Sequence, residues 1–418
     1  MVDRSFRLLR SCRLCGSGRL DFILDFGRVP LGNNLLGSKW EAARAEKYPL
    51  GMNHCLDCGH FQLSTSVNPI KLYAENYTYL SGIGGSFVAH FKDYAAWVHE
   101  HLKLGIDALV VDVGSNDGSC LKEFKEKGLR VVGVDPARAP AEIANKSGIF
   151  TINRFFDSIV ASDIISQFGK ADFVTSHNVL AHVDDIQLVF KNIYRILKDD
   201  GFFCFEVGYL KEVLRHGYFD TIYHEHLDYH HATPLSQFLC SLGFDIIDIS
   251  ENAVQGGSLR MLLKKTGNGL ISDQSLGFLD NEKKSILYDG SWLKSWPSKI
   301  YRNMEYFSNT VKKYKLDGKR IFGYGAPTKA TLLLKVSGLG ANQLDCVIED
   351  NPLKIGKFLP GTQVGIAGLE ELTNAKPDVI VIFAWNFEED IFRKLKRIVN
   401  WPVTVLIPLP TVNLRYLP

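Results

Sequence analysis

Residues 108–135 constrain the fold more than any other stretch. The run A-L-V-V-D-V (108–113) is continuously apolar but for one acid, as in a strand buried on both faces of a parallel sheet. It stops at G-S-N-D-G (114–118). A helix is expected over 119–127, closed by Gly128, and a second strand over 129–134 that ends at Asp135. Strand, tight turn, helix and strand at this spacing form the repeating unit of a doubly wound α/β sheet. Such sheets bind ligands beyond the carboxyl ends of their strands. Asp135 follows Gly114 by about 20 residues, where these folds set an acid against a ribose hydroxyl.

Two cofactors compete for that turn. A dinucleotide wants a third glycine, so that the helix can pack beneath the pyrophosphate, and G-S-N-D-G has none. Asp117 at the helix start would also repel a pyrophosphate. S-adenosylmethionine, which carries an ammonium and a sulfonium, tolerates that acid. The stretch therefore reads as the turn of a class I methyltransferase, with Gly114, Asn116, Asp117 and Asp135 as candidate cofactor residues.

The alternation continues with an expected strand over 171–177, the stretch N-V-L-A-H-V-D-D (178–185), a helix over 186–197 and a strand over 201–207. His177, Asn178 and His182 fall just beyond one strand end, and His177 and Asn178 join the candidate cofactor residues. Glu206 and Tyr209 fall at the next strand end. Soon after comes T-I-Y-H-E-H-L-D-Y-H-H (221–231), which holds four of the chain's 12 histidines. Its position makes it a loop over the ligand face. From the residues alone it could be a second metal site, a proton-transfer site or a polar loop.

Cys12 and Cys15, and Cys55 and Cys58, form two CxxC pairs, each followed by a glycine at Gly16 or Gly59. Two such pairs suit a tetrahedral four-thiolate zinc site, structural because no coordination position stays open. His54 and His60 flank the second pair and could replace a thiolate. Cys120, Cys204, Cys240 and Cys346 lie singly in apolar surroundings and are read as core.

Beyond a strand at 261–264 lies a polar helical connector, about 273–314. A second α/β pattern then begins with strands at 319–323, 346–350 and 379–383 and the turn Y-G-A-P-T-K (324–329). Lys329, near a helix start, suits a phosphate, and the alternative is a domain that only completes a cleft wall. With 418 residues the expected division is a zinc-binding piece (1–70), a methyltransferase domain (71–265), a helical connector (266–315) and a Rossmann-like domain (316–418). A net charge of +2 gives no general pull toward nucleic acid. No signal-peptide core and no apolar run of about 18 residues is present, so neither a membrane nor export is expected, and the cytoplasm is. Oligomeric state is not legible.

Four blocks in one order carry a resemblance: the CxxC pairs, V-D-V-G-S-N-D-G, Y-H-E-H-L-D-Y and F-G-Y-G-A-P-T-K-A, supported by N-V-L-A-H-V-D-D. Together the chain resembles the sugar C-methyltransferases of deoxysugar biosynthesis, which act on nucleotide-linked 4-keto-6-deoxysugars. The resemblance implies a zinc-binding N-terminal piece, a central methyltransferase domain and a C-terminal Rossmann-like domain, with the sugar between domains and S-adenosylmethionine as donor. It implies roles for Tyr77, His182, Tyr223, Glu225 and His226, with Tyr79 the alternative to Tyr77. Carbon methylation beside a ketone needs a base and a partner for the enolate oxygen. His226 is then the expected base, Glu225 orients it or the sugar, Tyr223 and His182 donate to the oxygen, and Tyr77 closes the site. C3 is the expected carbon, and His224, His230 and His231 are expected to be structural. The rival functions are O- or N-methylation of another small molecule and a non-enzymatic zinc-ribbon binding module.

Overall fold

The computed structural model of the chain describes residues 5–74, 80–83 and 85–418. Among these residues the central unit is a seven-stranded sheet. Its order is Phe244–Asn252, Ser258–Lys265, Leu197–Gly208, Ala171–His177, Leu109–Val113, Arg130–Val134 and Thr151–Ile152. Ser258–Lys265 runs antiparallel to both its neighbours, and the five strands from Leu197–Gly208 to Thr151–Ile152 are mutually parallel.

Every residue of Leu109–Val113 is buried, as its apolar run demands. Val110 packs with Phe91, Tyr94, Val98, Leu121 and Phe124 from the helices Gly85–Leu102 and Ser119–Lys125. Its neighbours Val111 and Val113 point to the other face, where Ile164, Phe190 and Ile193 come from Ser158–Phe168 and Ile186–Ile196. The chain winds outward from Leu109–Val113 in both directions, through Arg130–Val134 on one side and Ala171–His177 on the other. That reversal opens a crevice at the carboxyl ends of these strands. Gly114 sits there at φ +81°, and a Cβ on it would lie 2.2 Å from the Val179 side chain, so only glycine lets the two strand-end loops meet.

The N-terminal sheet runs Leu20–Pro30, Lys47–Cys55, Phe61–Leu63 and then Asp228–Tyr229. Its last strand comes from the histidine-rich segment, which is therefore more than a loop. The C-terminal sheet is parallel from Ile366–Ala367 through Cys346–Ile348, Ile321–Tyr324 and Val379–Ile382 to Val403–Ile407, with Asn413–Leu417 added antiparallel. Between the two α/β units lie the helices Asp273–Lys283 and Gly290–Leu316. The longer buries a stripe at Trp296, Ile300, Met304, Phe307 and Val311 and packs on the strand Leu20–Pro30 and the helix Ala330–Ser337. One continuous apolar core runs through these three sheets, from Met52 through Val111 to Ile380.

Candidate active site

The zinc ligands come together as their spacing requires. Cys12 and Cys58 Sγ lie 3.6 Å apart, as do those of Cys15 and Cys55, and all four sulfurs fall within 4.8 Å of one another. Zinc–sulfur bonds of about 2.3 Å at tetrahedral angles set ligands roughly 3.8 Å apart, so the thiols fit zinc without rearrangement. Neither flanking histidine takes part. His54 stacks on Phe61, and His60 Nε2 bonds to Asp228 at 2.9 Å.

The first CxxC turn does more than hold metal. Arg13, inside it, passes its guanidinium across to the histidine-rich segment. Its Nε donates to both oxygens of Asp228, at 2.9 and 3.0 Å, and its terminal nitrogens donate to the carbonyls of Val183 and Asp184. Burial alone would raise the Asp228 carboxyl, but the charges of Arg13 and His60 hold it below the ordinary carboxylate range.

Three acids pin this segment, each to a different part of the chain. Asp220 is 0% exposed, Glu225 5% and Asp228 2%. Asp220 accepts from Trp385 Nε1 at 2.6 Å and lies 3.8 Å from Lys329 Nζ. Glu225 accepts from Asn33 Nδ2 at 2.8 Å. Asp228 takes Arg13 and His60. Buried acids so held fix the segment's path, since freeing any one would leave a buried polar group without its partner.

The four histidines consequently part company. His224 is buried against Tyr48, His230 is buried beside His60, and His231 bridges Glu282 and the Gly59 carbonyl. His226 alone of the four keeps partial exposure, as does Tyr223. Among the described residues the segment's histidines form no metal cluster. His226 Nδ1 lies 2.8 Å from the Thr221 carbonyl, which can only accept, so the ring proton sits on Nδ1. The Nε2 lone pair then receives the Tyr223 hydroxyl at 2.9 Å. Burial, then the neighbouring His182, push His226 down to about 3, so the ring is neutral. Burial pushes Glu225 up to about 7 against the opposing bond from Asn33.

His182 packs its ring 4.8 Å from that of His226. Its Nδ1 lies 3.2 Å from the Tyr73 hydroxyl, which itself donates to the Glu225 carbonyl at 2.8 Å. Burial lowers His182 to about 4, while the Glu225 and Asn178 carbonyls pull the other way. Tyr77 and Tyr79 lie outside the described residues.

At the crevice, Asp135 accepts the backbone N–H of Asn116 at 2.9 Å and of Ala137 at 2.8 Å. Asn116 accepts from Ser81 N at 2.9 Å. The Asp117 carboxylate is taken up by nearby groups. Its Oδ1 takes both the N–H and the hydroxyl of Ser119, and its Oδ2 the N–H of Gly82. His177 bonds Thr175 and Glu206 through its two ring nitrogens, and Asn178, at φ +54°, turns the chain while its N–H donates to the Glu206 carbonyl. Glu206 is a buried hub, ringed by His90 at 2.7 Å, Arg260 at 2.6 Å and Asn252 at 3.2 Å. Burial would raise its carboxyl, but His177, His90 and Arg260 hold it far below the ordinary range. His90, His177 and Glu206 have the spacing of metal ligands, yet the guanidinium on the same carboxylate already supplies the positive charge.

Asp112 tests whether S-adenosylmethionine fits. It stands one residue before the end of the first strand, 2% exposed, and its Oδ1 has no hydrogen-bond partner. Burial and the charge of Asp135 push its carboxyl up to about 8. A buried acid with an unpartnered oxygen beside a glycine turn suits an ammonium, and Asp135 keeps spare lone pairs for hydroxyls.

Three families match the chain in order. One described as a zinc binding domain covers residues 12–73, one described as a methyltransferase domain covers 88–249, and one described as a C-methyltransferase C-terminal domain covers 253–410. The C-methyltransferase NovU of Streptomyces niveus is 31% identical over 405 residues, which is 97% of this chain and 96% of that one. The chain belongs to the C-methyltransferase family. Similar solved structures include an S-adenosylmethionine-dependent methyltransferase from Clostridium acetobutylicum, at 14% identity and TM-score 0.34 over 43% of this chain and 92% of that one. Another is the magnesium protoporphyrin IX methyltransferase of Synechocystis with bound cofactor, at 15% identity and TM-score 0.32 over 43% of this chain and 79% of that one.

For this C-methyltransferase the donor is S-adenosylmethionine, and the four-cysteine metal is structural zinc. The zinc-binding N-terminal piece, the central methyltransferase fold and a second α/β sheet beyond it are those expected from the sequence. Sequence reading passed over Asp112, Arg13, Asn33 and Tyr73. An acid inside an otherwise apolar strand was the available signal for Asp112. For the other three nothing local marked the contact, because each reaches a residue more than a hundred positions away.

Proposed function

We propose that this enzyme methylates a ring carbon, C3, next to the ketone of a nucleotide-linked 4-keto-6-deoxysugar, and that it works in the cytoplasm, where thiols stay reduced. One observation carries the reading. A neutral imidazole, its tautomer set by the Thr221 carbonyl, has its lone pair directed at the hydroxyl of Tyr223. A base and an acidic hydroxyl side by side, at the mouth of a buried segment, are what enolisation needs.

His226 is the base. When a ketone oxygen takes the Tyr223 hydroxyl, the Nε2 lone pair is bared and can accept the proton from the adjacent carbon. Tyr223 then stabilises the oxygen as charge develops on it. His182 is a positioning residue, because its nitrogens are engaged by Tyr73 and by main-chain carbonyls while its ring supports His226. Glu225, as carboxylate, accepts from a sugar hydroxyl and orients the ring. Tyr77 closes the N-terminal side on the strength of the resemblance alone. Asp112 would hold the cofactor's ammonium and Asp135 its ribose hydroxyls, with Gly114, Asn116 and Asn178 shaping the crevice. The bound cofactor supplies a methyl group on a sulfonium, an electrophile that a carbanion attacks. In the C-terminal unit Lys329 Nζ lies 4.0 Å above the Trp385 ring and donates to Asn386, beside the same segment. Its ammonium offers a cation to a diphosphate.

The test is solvent-deuterium uptake by thymidine-diphosphate-linked 4-keto-6-deoxyglucose in D2O, followed by NMR. Uptake at C3, abolished in His226→Ala, is the expected result. Uptake at C5 moves the methylated carbon. Absence of uptake with wild-type protein that binds S-adenosylmethionine overturns the reading in favour of O- or N-methylation.

A further inference from the structure

We propose that Asn33 is the positioning residue of Glu225, and that through Thr328 it makes the C-terminal Y-G-A-P-T-K turn part of the catalytic centre. This rests on the role given to Glu225 above. Asn33 stands in the N-terminal stretch L-G-N-N-L-L, far in sequence from both partners. Its Nδ2 donates to Glu225 Oε1 at 2.8 Å, and its Oδ1 lies 2.5 Å from Thr328 Oγ1. A carboxylate only accepts, so the amide nitrogen faces Glu225 and the amide oxygen must take the Thr328 hydroxyl proton. The chain is thus directional: Thr328 O–H to Asn33 C=O, Asn33 N–H to Glu225.

The geometry leaves this pairing little slack. A Cβ on Gly32 would fall 2.2 Å from the Thr328 carbonyl oxygen, so the two loops touch only because residue 32 is glycine. The Glu225 backbone is held from its other side by Tyr73, whose hydroxyl donates to the Glu225 carbonyl. Among the described groups Asn33 is the side chain that favours the ionised form of an acid whose burial favours the neutral one. Removing its amide should therefore misplace the carboxyl and also raise the pH at which it ionises. A merely structural strut between loops would do neither.

The experiment compares Asn33→Ala, Thr328→Val and Thr328→Ser with wild type, each as full-length zinc-loaded protein. Turnover of the thymidine-diphosphate-linked 4-keto-6-deoxyglucose is followed against pH, together with thermal midpoints. Asn33→Ala is expected to lower kcat by about 10- to 100-fold, as for loss of a hydrogen bond to a charged group. KM for S-adenosylmethionine should stay unchanged, and the acid limb should move to higher pH. Thr328→Val should move the limb the same way by less, and Thr328→Ser should restore it. An infrared titration, taken as the difference from Glu225→Gln, reads the Glu225 carboxyl without any substrate and should show the same displacement. An unmoved carboxyl titration and acid limb in a folded Asn33→Ala overturns the proposal, even if activity falls with stability. If Asn33→Ala does not fold, an unmoved limb in Thr328→Val overturns it. Full activity in Glu225→Gln would instead remove the role of Glu225 itself, whereas impaired Glu225→Gln beside unimpaired Asn33→Ala would sink only the Asn33 proposal.

Discussion

Asp112 shows what a single buried group can decide. Its carboxyl is raised in the folded chain, to about 8, so folding favours the protonated form. The stability it contributes is full below its unfolded value and is lost as pH rises through about 8. An ammonium at this site reverses the preference, because it needs the carboxylate. Affinity for S-adenosylmethionine, measured by calorimetry, should therefore tighten from pH 6 toward pH 8, by at most about tenfold per pH unit, with proton release on binding. Asp112→Asn should flatten that dependence and weaken binding throughout. The candidate site was unevenly legible at this scale. Gly114 and Asp135 could be picked out by spacing, whereas Asp117 and His177, read as cofactor residues from position, turn their side chains to Ser119 and Gly82 and to Glu206. Spacing reports where a residue stands along the chain. It does not report which way its side chain turns.

Among elements, the two-residue strand Asp228–Tyr229 matters beyond its length. It pairs with Phe61–Leu63, and the Leu63 N–H donates to the Leu227 carbonyl, so the histidine-rich segment is an edge of the zinc-bearing sheet. Arg13 locks it there. Arg13→Ala should cost about 3–5 kcal/mol in denaturant unfolding, because Asp228 would stay buried with only His60 for company. Arg13→Ala combined with Asp228→Asn should cost clearly less than the sum of the two single changes. Strands such as Ala171–His177 could be read from the sequence because their apolar runs are local. Asp228–Tyr229 could not, since D-Y is no strand signal and its partner lies elsewhere in the chain. His224, His230 and His231, expected to be structural, are buried, while His226 stays partly exposed.

At the scale of the molecule, three units share one core and all three hold the histidine-rich segment or the turn beside it. Stripping zinc with a chelator should release the Arg13 turn and with it the segment. Turnover and deuterium uptake are then expected to disappear while S-adenosylmethionine binding, measured on the same sample, survives, because one face of the central sheet packs with its own helices into a separate core. Equal loss of both would mean that the metal supports the whole fold rather than the segment. The succession of units was readable from periodicity and cysteine spacing. Their mutual contacts were not, since side chains such as Asn33 and Trp385 meet partners far along the chain. The borrowed strand also has a history during synthesis. Phe61–Leu63 is buried at all three positions in the finished sheet, yet the segment that covers its open edge lies so far downstream that His60 and Asp228 are 168 residues apart. At ordinary elongation rates the ribosome needs about ten to thirty seconds to cross that distance. For that interval the nascent chain carries an apolar edge with unpaired backbone groups, the hazard that invites neighbouring chains to pair. Crowded polysomes translating this message are where its misassembly should begin, and metal supply during translation should govern the yield of soluble enzyme.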